Sequence, residues 1–176
     1  MTIPKATAFI RPGIHPTTGT WADIGAGTGL FTMALMQILE EGTIISVDKS
    51  PHALYSIEAP PHIHLEIFEG DFNVPVELPP LEGIVMANAL HYAKDHLYVL
   101  KNVLTSLREG GRLMLIEYDT EVPNEPWVPN PVSLQLFRSL CRNVGLSEPE
   151  LIGARESIYQ EGRMYAVVSK KLVVSS

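Results

Sequence analysis

Short apolar runs alternate along this chain with stretches whose apolar residues recur every three or four positions. Residues 19–24 (GTWADI) read as a buried strand entering a glycine loop. Beyond the loop, Leu30, Phe31, Ala34, Leu35, Ile38 and Leu39 form one helical stripe, which Gly42 is expected to end. Residues 43–48 (TIISVD) are β-branched and short, so they predict a second strand. Ser50 and Pro51 then supply a helix start for residues 51–58. Strands follow at 63–68 and 83–88. Leu97, Leu100, Val103, Leu104 and Leu107 make the next helical stripe, closed by Gly110 and Gly111. A fifth strand covers 112–117, and a helix carries Leu136, Phe137, Leu140, Cys141 and Val144 on one face before Gly145. The tail predicts strands at 150–159 and 163–170 around a turn at 160–162.

Such alternation implies a doubly wound, Rossmann-like α/β domain with a mostly parallel sheet and helices on both faces. The last two strands are joined by a tight turn, so they must run antiparallel to each other. No repeat or domain break interrupts residues 1–176, which read as one domain with a short N-terminal extension (1–18).

Composition narrows the function classes. Thirteen Lys and Arg face 20 Asp and Glu, a net charge of −7, which weighs against broad binding of nucleic-acid backbones. Cys141 is the single cysteine, so an internal disulfide, a Cys-rich zinc site and a cysteine-held iron–sulfur cluster are all excluded. No signal-peptide core and no apolar run of membrane-spanning length occurs, and a cytoplasmic protein is the simplest expectation. Of fourteen prolines, nine are bunched at 60–61, 75–80 and 123–131.

The first strand ends in Asp23-Ile24-Gly25-Ala26-Gly27-Thr28-Gly29. Glycines there allow a tight turn that brings backbone N–H groups against a ligand at a helix N-terminus. Leu30 stands where dinucleotide binders carry their third glycine, and there is no Gly-Lys-Ser/Thr of a P-loop. Two acids accompany the loop in strand order. Asp48 ends the second strand, 19 residues after Gly29, where an acid can take both ribose hydroxyls. Asp71, within Gly70-Asp71-Phe72, is placed to receive an exocyclic amine while Phe72 packs on a base. Each acid alone reads better as a turn or cap residue; the three features in strand order argue against coincidence.

With Asn88-Ala89-Leu90-His91 and residues 107–113 (LREGGRL) added to these motifs, the sequence resembles the class I S-adenosylmethionine-dependent methyltransferases over about residues 19–118. It is most similar to the small bacterial, small-molecule branch. The resemblance implies a seven-stranded sheet with the last strand antiparallel, and S-adenosylmethionine as cofactor with S-adenosylhomocysteine as product. It implies that Gly25, Ala26, Gly27, Thr28 and Gly29 pass under the methionine part of the cofactor with Asp23 beneath them. Asp48, beside Lys49, would bind the ribose; Gly70, Asp71 and Phe72 would hold the adenine; Asn88 and Ala89 would line the path to the reacting methyl.

The activated methyl donor carries the difficult chemistry, so the protein has mainly to align the acceptor and, where required, take its proton. His91 and Tyr118 are the candidate catalytic residues, from a set that also holds Tyr92, Glu117 and Asp119. The competing reading makes His91 a loop residue packed near the cofactor. Asn-Pro-Pro-Tyr, used on nucleic-acid bases, is absent. A small-molecule acceptor is therefore expected, with a protein substrate left open. His62, His64 and Glu66 share a strand face without completing a ligand set, and no metal is expected. The proline-rich loop 119–131 follows the fifth strand, and its Trp127 has three readings: substrate wall, homodimer contact, or connector tucked against the core. Arg11 and Trp21 are candidates to complete a lid. The alternatives to a methyltransferase are a non-catalytic S-adenosylmethionine-binding or regulatory module and an NAD-dependent oxidoreductase, the latter disfavoured by Leu30.

Overall fold

The computed structural model describes residues 1–156 and 163–173. Seven strands make one sheet: β1 (Thr20–Ile24), β2 (Gly42–Asp48), β3 (Ile63–Glu69), β4 (Leu81–Ala87), β5 (Leu107–Tyr118), β6 (Glu150–Glu156) and β7 (Arg163–Lys170). Their spatial order is β3-β2-β1-β4-β5-β7-β6. β7 runs antiparallel between β5 and β6, and the pairings from β3 across to β5 are parallel. The turn expected at 160–162, and the end of the strand expected to reach 159, lie outside the described residues.

Alternation along the buried strands builds two cores. Ala22, Ile24, Val47, Ile84, Leu113 and Leu115 face α3 (His96–Val103) and α4 (Leu134–Val144). Trp21, Ile44, Val85, Met114 and Ile116 face α1 (Ile3–Ile10) and α2 (Leu30–Met36). Asp95 caps α3 by accepting from the Tyr98 N–H at 2.9 Å, and Ser133 caps α4 by accepting from Leu136. Gly145, in the left-handed conformation (φ 74°), ends α4 as the pattern predicts.

Several boundaries differ from expectation. The glycine-loop helix stops at Met36, and Gly42 opens β2 instead, where a Cβ would collide with the Gly19 backbone. Residues 51–58 hold only a short 3₁₀ turn (Pro51–Ser56), because the Ser50 N–H bonds back to Asp48 and its side chain caps nothing. Leu107, Gly110 and Gly111 belong to β5 rather than to the preceding helix, with a register shift opposite Leu81 and Gly83. The N-terminal extension contains α1, which packs on α2. Trp21 is fully buried in β1, and the Arg11 guanidinium donates to the Gln37 carbonyl, so neither forms a lid.

Gly83 shows how tightly the central strands are filled, since a Cβ there would overlap the Trp21 indole. That ring is wholly buried and cannot give way. Gly83→Ala is expected to lower the unfolding free energy by about 1–3 kcal/mol, read from urea midpoints; an unchanged midpoint would show that the indole can repack.

Candidate functional site

The strand order reverses between β1 and β4, and in such sheets ligands bind outside the carboxyl ends of the strands at this point. Two clefts of about 390 Å³ each open there. The first is walled by Gly25, Gly27, Asp48, Lys49, Gly70, Asp71, Phe72, Asn73, Asn88, Ala89 and Tyr92. The second is walled by Asn88, His91, Tyr92, Tyr118, Asn124, Trp127 and Val128. Asn88 and Tyr92 border both.

The glycine loop owes its shape to β2. Gly25 and Ala26 both donate to the Val47 carbonyl, at 2.8 and 3.0 Å, which bends the chain as it leaves β1. Gly25, Gly27 and Gly29 have φ of 75°, 55° and 81°, where side chains other than glycine's are rarely accommodated. A Cβ on Gly25 would lie 2.6 Å from that of Ala89 and 3.2 Å from the Phe72 ring, filling the floor of the first cleft. Asp48 accepts from the Gly27 N–H at 2.7 Å and from the Ser50 N–H at 2.8 Å. Two of a carboxylate's approximately four acceptor positions remain for a ligand. Asp71 accepts from the Asn73 backbone and side-chain N–H groups, both at 2.9 Å; these bonds hold its carboxyl below the ordinary range, with a smaller contribution from Lys49.

Thr28 and Gly29 do not line this cleft. Thr28 borders a separate groove beside Ile3, Met33 and Ile57, and Gly29 packs under Leu54 and Ile57. Asp23 lies buried beneath the loop. Thr32 Oγ1 donates to it at 2.7 Å, which leaves Ser46 Oγ, 2.7 Å from Thr32 Oγ1, as donor to the threonine oxygen. Desolvation pushes the Asp23 carboxyl up to about 6, and the bonds from Thr32 only partly oppose it.

Asn88 leaves β4 at φ 50°, the described non-glycine residue in the left-handed region, and its N–H donates to the Ile116 carbonyl at 2.8 Å. Its Oδ1 is buried and lacks a protein partner. That orphaned acceptor, the floor cleared by Gly25 and the two acids at neighbouring strand ends fit a ligand with hydroxyl, amine and flat-ring parts, as an adenosyl group has.

In the second cleft His91 is almost fully buried and held on three sides. Its N–H donates to Glu117 Oε1 (3.2 Å), its Nδ1 lies 2.6 Å from Glu117 Oε2, and its carbonyl accepts from the Asn130 N–H (3.0 Å). Its Nε2 is buried and has no partner. Tyr92 tilts against the imidazole, with ring centroids 4.4 Å apart, and Tyr118 lies at 6.3 Å. Asn124 and Val128 exchange backbone hydrogen bonds at 2.9 and 2.7 Å, folding the proline-rich loop into a tight turn. That turn buries Val128 and leaves Trp127 68% exposed at the cleft wall. Trp127 is therefore not tucked into the core.

Glu117 carries more of this geometry than the sequence reading assigned to it. The available signal was its period: Leu113, Leu115 and Glu117 share one strand face, and a carboxyl continuing a leucine face requires a partner. His64 and Glu66 pair at 3.3 Å on the exposed edge strand β3. Among the described residues, no three metal-ligating side chains come together. None of the described helices is long and apolar enough to cross a membrane.

A reversed seven-stranded sheet with a glycine-loop cleft at its switch point defines a class I, S-adenosylmethionine-dependent methyltransferase fold. A family model described as a methyltransferase domain matches residues 22–113, over half of the chain, and the chain belongs to that family. It is 28% identical over 96 residues to the chloroplastic 2-methyl-6-phytyl-1,4-hydroquinone methyltransferase of Spinacia oleracea. That match covers 53% of this chain and only 28% of the spinach protein. Among solved structures, the YcgJ protein of Bacillus subtilis superposes with a TM-score of 0.72 over 97% of this chain and 100% of its own, at 13% identity. A SAM-dependent methyltransferase from Aquifex aeolicus gives 0.66, over 87% and 82% of the two chains, at 18% identity. CalO1, a methyltransferase of calicheamicin biosynthesis in its SAH-bound form, gives 0.71 over 94% and 53%, at 19% identity. At these identities the structural likenesses speak for the fold.

The buried Asp23 carboxyl generates a pH dependence. Its folded-state value of about 6 exceeds the ordinary carboxylate value of 3.8, so its stabilising contribution is complete below about pH 4 and lost as pH rises through 6. Asp23→Asn removes this dependence. Relative to the parent, the variant is expected to gain about 3 kcal/mol of unfolding free energy between pH 4 and pH 8 without ligand. A pH-independent difference in urea unfolding would mean that the carboxyl titrates normally.

Proposed function

We propose that this chain transfers the methyl group of S-adenosylmethionine to a small-molecule acceptor. The observation that carries the reading is the pair of clefts sharing Asn88 and Tyr92: one suits the cofactor, and the other, lined by His91, has room for an acceptor. In the first cleft, Asp48 takes the ribose hydroxyls, Asp71 and Phe72 hold the adenine between them, Gly25 and Gly27 clear the floor, and Asn88 Oδ1 accepts from the methionine end. The cofactor, when bound, supplies an electrophilic methyl on sulfur. The chain's own contribution is alignment: Asn88 and Ala89 set the boundary between the clefts, while Trp127, Tyr92 and Tyr118 wall the acceptor away from water.

His91 is the group we assign to proton removal, and Tyr118 to the cleft wall. A small acceptor is supported by the cleft's size and by the spinach relative, whose name specifies a hydroquinone. The net charge of −7 favours a small acceptor over nucleic acid. We also place the protein in the cytoplasm, in accord with its single, buried and unpaired cysteine.

Calorimetry with S-adenosylhomocysteine is expected to show one site, and NADH to show none. Asp48→Ala should weaken the homocysteine derivative by about 10–100-fold, the loss of a hydrogen bond to a charged group. Unchanged affinity would remove Asp48 from the site, and tighter binding of NADH would overturn the methyltransferase reading.

A further inference from the structure

The second cleft constrains the chemistry of the acceptor, granted that the chain is a methyltransferase. Its walls are chiefly aromatic, with two amides, and no Lys or Arg lines it among the described residues. An anionic acceptor would have no cation to meet. Behind His91 lies the buried Glu117, whose Oε1 accepts the His91 backbone N–H and whose Oε2 lies 2.6 Å from the ring Nδ1. With Glu117 accepting at Oε2 as it does at Oε1, Nδ1 carries the imidazole proton and Nε2 keeps its lone pair. Nε2 lies on the flank of the ring away from Glu117, buried and unpartnered, on a residue that lines the cleft. Nε2 is thus a buried acceptor without a proton donor.

Acidity decides which donor. A phenol holds its proton far less tightly than an aliphatic alcohol, so it is the hydroxyl that an imidazole nitrogen can deprotonate. A hydroxyl as weakly acidic as that of water faces an acidity gap many powers of ten wider. A neutral amine already carries its nucleophilic lone pair and needs no base to attack. The exposed rings of Tyr92 and Trp127 offer faces for a flat partner.

We propose that the acceptor is an uncharged, planar aromatic or heteroaromatic hydroxyl compound, deprotonated by Nε2 of His91 with Glu117 as the positioning residue. The O–H bond breaks with its proton passing to Nε2. The oxygen lone pair forms the new O–CH₃ bond, and the electrons of the breaking C–S bond return to sulfur, giving neutral S-adenosylhomocysteine. The positive charge lost from the sulfonium reappears on His91, where Glu117 stabilises it until the proton leaves to water.

The test uses the whole chain with S-adenosylhomocysteine bound, then with S-adenosylmethionine. The probes are 4-methoxyphenol, the more acidic 4-nitrophenol, benzoate, benzylamine and cyclohexanol. The two phenols are expected to quench Trp127 fluorescence saturably, with Trp127→Phe as control, and to bind at least tenfold more tightly than the other three. Nitrogen NMR of His91 should show Nε2 unprotonated. His91→Gln and Glu117→Gln should each reduce kcat for 4-methoxyphenol by about 10²–10⁴ with KM little changed. The loss should nearly vanish for 4-nitrophenol at a pH where it is already ionised. Equal losses with both phenols would make the pair structural and overturn the proposal, as would a proton on Nε2 or tighter binding of benzoate or benzylamine. Homocysteine-derivative binding without phenol binding would sink the acceptor class while leaving the methyltransferase reading intact. Failure to bind that derivative would sink the reading beneath it.

Discussion

The reversal of strand order between β1 and β4 is the constraint on which everything else in this molecule depends. Connections from β1 leave toward one face of the sheet and those from β4 toward the other, so the carboxyl ends of these neighbouring strands are not covered by their own crossovers. The gap is bordered by polar backbone from both sides. Val47 takes up the first N–H groups of the glycine loop, and Ile116 takes up that of Asn88. The sheet thus shapes both clefts through main-chain bonds before any side chain is chosen.

Burial then sorts the acids into different tasks. Asp71 stays at the surface and is held ionised by Asn73. Asp48 is shared between the loop N–H groups and the cleft. Asp23 lies below both, where desolvation dominates. Glu117 is buried as deeply as Asp23, but the backbone and ring N–H groups of His91 face it instead of a threonine hydroxyl. Four carboxyls near one crevice therefore differ through their partners and solvent access.

The sequence made the sheet legible because buried strands and helix stripes have distinct periods, and the bounds of β7 and the end of α4 emerged as expected. It misled where glycine was read only as a stop: Gly42, Gly110 and Gly111 lie within strands, the first because β2 passes so close to Gly19. It also counted the whole glycine loop as one surface, whereas successive residues of a turn face different ways. Gly25 and Gly27 border the crevice, while Thr28 and Gly29 face the neighbouring 3₁₀ turn. The acceptor side was less legible still. Its wall depends on a turn closed by Asn124 and Val128 and on Asn130 clasping His91, the latter a contact between segments far apart in the chain that no local pattern announces.

Asn88 stands in both clefts on a backbone conformation few other side chains tolerate. A replacement at this position alters donor and acceptor recognition together, and strains the chain as well. Residue 88 is thus a poor place for new acceptor preferences to arise. The freedom to change lies across the cleft, in the turn that carries Trp127, which does not border the glycine-loop cleft. The molecule keeps what must stay constant and what can diversify on opposite walls of a single crevice.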